Sequence, residues 1–206
     1  SSDLTGVRAS NSIGYFLPGN LGGFYGQLQY AMGGNPSGSA TDSDGNYTGG
    51  RFGYQNGPLN VAIAYGQTKL FSLDNYKQGN IGASYDFGVV AVMAQYDQEK
   101  LGNTAGALGA QKNTNWELGA SVPVGPGNIV ASYNQGKADN TAWKAKQYAL
   151  GYVYNLSKRT AIYGTYAHMS NSGNSANLLT SGAAAQTAFT GTGSSNGIDL
   201  GLRTSF

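Results

Sequence analysis

The chain has 206 residues, of which 11% are charged, with a formal net charge of +2 and no cysteine. This mild charge balance argues against a nucleic-acid-binding surface, and the lack of cysteine excludes disulfides and thiolate metal sites. Typical soluble domains contain about 25% charged residues. Here the polarity comes largely from uncharged residues, including 33 Gly and 15 Tyr, which favours β-structure with tight turns over helices.

Alternation of apolar and polar residues with a period of two recurs along the chain and predicts strands. No apolar run approaches the roughly 18 residues of a membrane helix. In most segments the apolar residues share one parity, all odd or all even in number, as Ile63 and Tyr65 do. In the strand 159–168 we assign Ile162 and Tyr166 to the apolar face. The eleven predicted strands span 8–17, 23–32, 47–55, 59–69, 78–87, 89–99, 113–122, 128–137, 146–155, 159–168 and 196–206.

Short and long connections alternate between these strands, which predicts an antiparallel meander with tight turns at one end and long loops at the other. The predicted strands have about 9–11 residues, the length that a tilted strand needs to cross a bilayer. Strands of soluble sandwiches are commonly about 5–6 residues long. The predicted fold class is therefore all-β, an antiparallel transmembrane β-barrel, with a soluble β-protein as the alternative. A backbone in lipid must satisfy its polar groups internally, so such a sheet has to close.

Aromatic residues near the predicted strand ends are typical of the girdles that flank the apolar band of a membrane barrel. The candidates are Tyr65, Tyr85, Phe87, Tyr96, Trp116, Tyr133 and Tyr154.

An odd number of strands conflicts with the even number found in bacterial single-chain barrels. Eleven strands would leave two unpaired edges. We therefore expect either a miscounted strand or further strands that precede Ser1.

Four stretches carry a family resemblance: GVRASNSIGYFLPGNLGGFYGQLQYAMG (6–33), GYQNGPLNVAIAYGQ (53–67), LGYVYNLSKRTAIYGTYAHM (150–169) and the terminal GLRTSF. In order along the chain, they resemble segments of the Gram-negative general porins. The resemblance implies a trimeric barrel of sixteen strands with an inward-folded third loop. On that template residues 1–206 form a single barrel domain that covers strands six to sixteen.

All four arginines fall on the polar parity, which in a barrel faces the lumen, because arginine at the lipid midplane costs about 2–4 kcal/mol. They can simply avoid lipid there and pair with lumen acids, or they can select anions. Arg8 stands where the resembling porins carry a constriction arginine, so the resemblance implies a selectivity role for it. The pore-lining candidates are Arg8, Arg51, Glu117, Arg159, Asp199 and Arg203.

Three further features bear on a possible metal site, a catalytic site or an assembly signal. The stretch DSDGN (42–46) lacks the spacing of an EF-hand and is typical of an Asx-rich turn. His168 has Ser170 and Ser172 nearby in sequence but no adjacent acid, which disfavours a Ser-His-Asp triad. Phe206 resembles the terminal signal read by the machinery that inserts such barrels, and it can equally be a girdle aromatic.

The sequence therefore predicts an outer-membrane porin of a Gram-negative bacterium that allows passive diffusion of ions and small hydrophilic solutes, with a mild anion preference. The expected partners are membrane lipid, two further copies in a trimer, the insertion machinery and the permeating solutes. We expect no catalysis, metal, cofactor or nucleic acid. The alternative is a barrel that acts through its long loops as an adhesin or receptor; an outer-membrane enzyme would need activity that depends on His168.

Overall fold

Antiparallel β-strands account for the regular structure of the computed structural model, which describes residues 10–39, 41–70, 75–102, 111–139, 142–173 and 193–205. Within those ranges the strands hydrogen bond in chain order in one eleven-stranded sheet. They are β1 (Ser12–Phe16), β2 (Phe24–Ala31), β3 (Tyr47–Asn56), β4 (Leu59–Thr68), β5 (Tyr76–Asp86), β6 (Ala91–Leu101), β7 (Gln111–Val124), β8 (Gly127–Ala138), β9 (Lys144–Asn155), β10 (Thr160–Ser172) and β11 (Ser194–Thr204). The predicted all-β antiparallel fold is confirmed. None of the described residues belongs to a helix that is long and apolar enough to cross a membrane.

The observed strand bounds differ from the predicted ones by a few residues. The clearest difference concerns Arg159, which was expected at the start of a strand, whereas β10 begins at Thr160. The Oγ of Ser157 accepts hydrogen bonds from the backbone N–H groups of Arg159 and Thr160, at 3.2 and 3.1 Å. This side chain closes a tight turn, so Arg159 lies in the connection 156–159 and not on the strand.

Two hairpins use the same Gly-Pro turn. Gly57-Pro58 joins β3 to β4, and Gly125-Pro126 joins β7 to β8. The two glycines have φ angles of 54° and 59°. A type II′ turn requires a positive φ at its first central residue, which glycine adopts without the steric cost of a Cβ. Short connections of this kind alternate with longer ones along the chain, as predicted. An irregularity is that the connection 17–23, predicted to be short, has as many residues as 69–75, predicted to be long.

The chain divides into two compact units, the first made of the described residues within 1–83 and 95–115. In this unit Tyr15 lies opposite Leu28, Leu28 opposite Gly50 and Gly50 opposite Tyr65. Directly opposite residues share one face of a sheet. This apolar face carries Ile13, Tyr15, Phe24, Leu28, Tyr30, Phe52, Ile63 and Tyr65.

The second unit comprises the described residues within 84–94 and 116–206. Here the register of β8–β11 stacks apolar residues in successive rows on one face. One row is Ala131, Leu150, Tyr166 and Ile198. The rows that follow towards the turn 156–159 are Ile129, Tyr152, Gly164 and Leu200, and then Gly127, Tyr154, Ile162 and Leu202.

The described residues contain almost no internal apolar core. Their buried hydrophobic residues are Ala31, Tyr76 and Ala161. Large apolar side chains are instead exposed, among them Ile198 at 76% and Leu200 at 78%. Apolar patches of this kind mark surfaces that are covered by a partner or a membrane.

Candidate functional site

The candidate site is the polar face, defined as the strand residues whose side chains point away from the apolar face of their unit. In the first unit it includes Tyr25, Gln27, Gln29, Arg51, Ala64, Gln78, Asn80, Asp97 and Glu99. In the second unit it includes Glu117, Ser132, Asn134, Gln147, Thr165, Asp199 and Arg203.

Arg51 occupies the centre of β3 on this face, opposite Gln27 and Ala64. Its guanidinium carbon lies 5.9 Å from the ring centroid of Tyr25, within the range of a cation–π contact. The Tyr25 hydroxyl donates a hydrogen bond to Asn60 Oδ1 at 2.6 Å, which fixes the ring. Within the described ranges Arg51 forms no ion pair.

A small hollow of about 140 Å³ lies next to Arg51. Gly49, Gly66 and Ala64 line the hollow, and the Tyr47 ring lies over the two glycines. Its rim carries amides and one phenol, from Gln27, Gln29, Tyr47, Gln78 and Asn80. A single cation surrounded by neutral hydrogen-bonding groups suits contact with a small anion or a hydroxylated solute.

The packing of Tyr25 on Gly53 gives a stability prediction for this face. A Cβ at Gly53 would overlap the Tyr25 ring. Gly53→Val should therefore displace the ring, break its bond to Asn60 and lower the free energy of unfolding by about 1–3 kcal/mol, as in other overpacked sites. Denaturant titration of the full-length protein in lipid vesicles measures the change.

Gly14→Ala is the matched control for this substitution, because the nearest atom to its Cβ would be the Leu28 carbonyl oxygen at an ordinary 3.5 Å. Equal stability of the Gly53→Val variant and the parent protein would contradict the packing argument.

Acidic residues of the polar face in the first unit lie on β6. Asp97 Oδ2 accepts a hydrogen bond from Asn115 Nδ2 at 3.0 Å. The Glu99 carboxylate lies near the side chains of Tyr76 and Asn113. These two carboxylates thus introduce negative charge on the same face as Arg51.

In the second unit the register separates the charged candidates from one another. Asp199 lies opposite Thr165 and Arg203 opposite Ala161. Glu117 is exposed on β7, opposite in parity to Trp116. Arg159 turns towards the end of β11, where its Nε donates a hydrogen bond to the Ser205 carbonyl oxygen at 2.9 Å.

The predicted girdle aromatics make short ring contacts on the apolar face of the second unit. Tyr85 and Phe87 lie 4.5 Å apart between ring centroids, at a short connection. Trp116 and Tyr133 are 4.8 Å apart, and Tyr133 continues to Tyr148 at 4.7 Å. Tyr154 lies 6.3 Å from Tyr152. In the first unit Tyr65 lies on β4, and the Tyr96 hydroxyl accepts a hydrogen bond from Gln98.

The row through Tyr133 and Tyr148 continues to His168 and Asn196. Asn196 Oδ1 lies 2.7 Å from His168 Nδ1 and accepts a hydrogen bond from the Tyr166 hydroxyl at 2.9 Å. His168 is predicted at the end of the strand 159–168, whereas β10 continues to Ser172, and the sequence does not single out Tyr148 or Asn196 as its partners. Cross-strand register, which the sequence does not give, is what joins them. Within the described ranges there is no group of three or more His, Asp or Glu side chains that could hold a metal ion.

Two predicted residues, Arg8 and Phe206, lie outside the described residues. Their proposed roles in selectivity and in assembly remain predictions.

Comparison with known proteins finds relatives among outer-membrane porins. A family model described as Gram-negative porin matches residues 1–174. Outer membrane porin protein 32 of Delftia acidovorans is 37% identical over 175 residues, which cover 82% of this chain and 49% of that protein. The chain thus spans about half the length of this relative.

Solved structures give the same result for the fold. The anion-selective porin from Comamonas acidovorans superposes with a TM-score of 0.81 at 35% identity, covering 96% of this chain and 60% of that chain. OmpT of Vibrio cholerae, an outer membrane protein solved in a trimer form, has a TM-score of 0.68 at 14% identity, covering 94% and 64%. The second likeness shows the fold alone.

Proposed function

Because this chain belongs to the Gram-negative porin family, we propose that its sheet forms part of the wall of a water-filled barrel in the outer membrane. Ions and small hydrophilic solutes would diffuse passively through that barrel. The proposal depends mainly on one observation: the strands expose apolar side chains on one face of the sheet and polar side chains on the other. Their apolar side chains need a lipid cover, and their polar side chains need water.

A mild anion preference is the second part of the proposal. It is supported by the anion-selective porin that superposes best among the structures described above and by Arg51, which forms no ion pair within the described residues. Arg8 would add a further cation at the constriction. The carboxylates of Asp97, Glu99 and Glu117 on the same face oppose the preference, so we expect it to be partial.

The assembly around the barrel completes the proposal. We expect a homotrimer, as the resemblance to the trimeric general porins implies. Phe206 would be read by the insertion machinery, and the apolar face would contact membrane lipid. The pore needs no cofactor and catalyses no reaction, since diffusion through it follows the solute gradient.

Single-channel recording of the full-length protein in a planar bilayer tests this function. We expect a large, ohmic conductance and a reversal potential in a salt gradient that indicates a modest excess of anion permeability. Because exposed charges are screened by salt, that excess should shrink as ionic strength rises. A protein that binds ligands through its loops but conducts no current would contradict the proposal and favour the adhesin or receptor.

A further inference from the structure

Five neutral hydrogen-bonding side chains surround the hollow beside Arg51 on the polar face. They are Gln27, Gln29, Tyr47, Gln78 and Asn80. None of the four amides among them forms a side-chain hydrogen bond within the described part of the chain. An amide both donates and accepts hydrogen bonds, as a hydroxyl does. The lining of the hollow therefore complements a solute that carries several hydroxyls.

Arg51 is the only charged residue among the described residues that line the hollow. The acids that share this face of the first unit, Asp97 and Glu99, lie on β6, two strands beyond β4. A guanidinium binds a carboxylate through two parallel hydrogen bonds, because its planar fork matches the two carboxylate oxygens. One cation matches one negative charge, so the hollow complements a solute with a single carboxylate.

Two facing glycines give the hollow an aromatic wall. Gly49 of β3 lies opposite Gly66 of β4. A Cβ at Gly66 would lie 2.7 Å from the Tyr47 hydroxyl oxygen, and a Cβ at Gly49 would overlap the same phenol. The Tyr47 ring thus occupies the space that side chains would fill at these two positions, and it also borders the hollow. Its apolar ring can cover the C–H face of a sugar, while its hydroxyl remains a polar group.

The size of the hollow agrees with a solute that binds through one edge. A cavity needs about 10–15 Å³ to hold one water molecule. The hollow, of about 140 Å³, therefore accommodates several water molecules, or the hydroxylated edge of one sugar ring in their place.

We propose that the hollow is a binding site for a sugar acid, a pyranose with one carboxylate, which binds there on its passage through the pore. The carboxylate binds the Arg51 guanidinium, and the hydroxyls form hydrogen bonds with the amides of Gln29, Gln78 and Asn80. The C–H face of the sugar packs on the Tyr47 ring. This inference rests on the proposed function, because it takes the polar face to be the wall of the pore.

Chloride current through the full-length protein in a planar bilayer, titrated with D-glucuronate, tests the site. A bound sugar acid obstructs the pore, so the current should fall to a plateau as the site saturates, and the half-saturating concentration gives the affinity. Arg51→Gln should weaken this affinity roughly 10- to 100-fold, since hydrogen bonds to a charged group are lost. Arg51→Lys keeps the charge but not the planar fork, and it should restore only part of the affinity.

Two simpler solutes separate the contributions of the charge and the hydroxyls. Acetate carries a carboxylate without hydroxyls, and D-glucose carries the hydroxyls without a charge. Each should bind at least about tenfold more weakly than D-glucuronate, because each lacks one set of partners for the lining. Affinity for acetate or for glucose equal to that for glucuronate would overturn the proposal, since the hollow would then recognise only charge or only hydroxyls.

Variants of the lining test the geometry. Gln29→Ala combined with Gln78→Ala should weaken the binding of D-glucuronate about 5- to 30-fold and leave that of acetate unchanged. Gly66→Ala keeps every polar group but displaces the Tyr47 ring, so it should also weaken the binding of glucuronate. Gln135→Ala is the matched control, because Gln135 has the parity of the apolar face of β8 and lies in the second unit. An affinity that is unchanged in the double alanine variant, or lowered as much by Gln135→Ala, would contradict the site.

The chloride conductance of the same proteins separates this inference from the proposed function. The variants should retain an ohmic chloride current in the absence of sugar acid, which shows that the barrel is assembled. An ohmic pore without saturable obstruction by glucuronate would contradict this inference alone, whereas a parent protein that conducts no current would contradict the proposed function.

Discussion

Replacement of Leu200 by arginine should lower the free energy of unfolding of the full-length protein in lipid vesicles by about 2–4 kcal/mol. Leu200 is 78% exposed on the apolar face of β11, between Ile198 and Leu202 in alternation and opposite Gly164. No carboxylate has the parity of this face in β10 or β11, so in the proposed barrel a guanidinium there would be surrounded by lipid. Denaturant titration, read by tryptophan fluorescence, measures the loss.

Asp199→Arg is the control, since residue 199 is adjacent in sequence but lies on the other face, opposite Thr165. A charged side chain that remains in water should change the free energy of unfolding by about 0.5 kcal/mol or less. If both arginines cost the same, the assignment of the two faces to lipid and water would be wrong.

Removal of two carboxylates from the polar face should increase the anion preference of the pore. The variant Glu117→Gln combined with Asp199→Asn keeps the shape of both side chains and deletes two negative charges. A unit charge about 7 Å from an ion contributes about 0.6 kcal/mol in water, before screening. At 0.1 M salt we therefore expect the anion-to-cation permeability ratio to rise about two- to threefold for each carboxylate removed. Reversal potentials in a salt gradient measure this ratio.

Lys144→Gln combined with Lys146→Gln provides the opposite-face comparison. Both lysines have the parity of Tyr148 and Leu150, so they lie on the apolar side of β9. This variant changes the net charge by the same amount and with the opposite sign, yet the permeability ratio should stay the same. A ratio that follows net charge irrespective of face would contradict the arrangement of the pore wall.

Much of the fold is predictable because period-two alternation needs no knowledge of distant residues. The strand β11 and its apolar face are both predicted from the alternating residues Ile198, Leu200 and Leu202. The observed register places Ile198 opposite Tyr166 and Leu202 opposite Ile162, as the alternation requires. Met93 breaks the pattern of β6 and still lies on the polar face. There it approaches Gly119, whose missing side chain leaves room for it.

The candidate site is less predictable because it depends on side-chain bonds and register. The hydrogen bond from the Arg159 backbone N–H to the Ser157 hydroxyl keeps Arg159 in the turn and outside β10. An alternation pattern does not predict a local side-chain bond of this kind. The contact of Arg51 with Tyr25 depends on the pairing of β2 with β3. The faces of the strand lysines and carboxylates are different in this respect, since their parity can be read from the sequence once the phase of each strand is known.

The chain-order pairing of the strands has a consequence for the speed of assembly. Within the described sheet each strand pairs with its sequence neighbours, so every step except the closure of the barrel closes a loop no longer than one connection. Closure entropy grows slowly with loop length, and local pairing favours fast folding. The hairpins at Gly57-Pro58 and Gly125-Pro126 have the shortest connections. They should be the first segments to gain protection from hydrogen exchange when the protein refolds from denaturant into micelles.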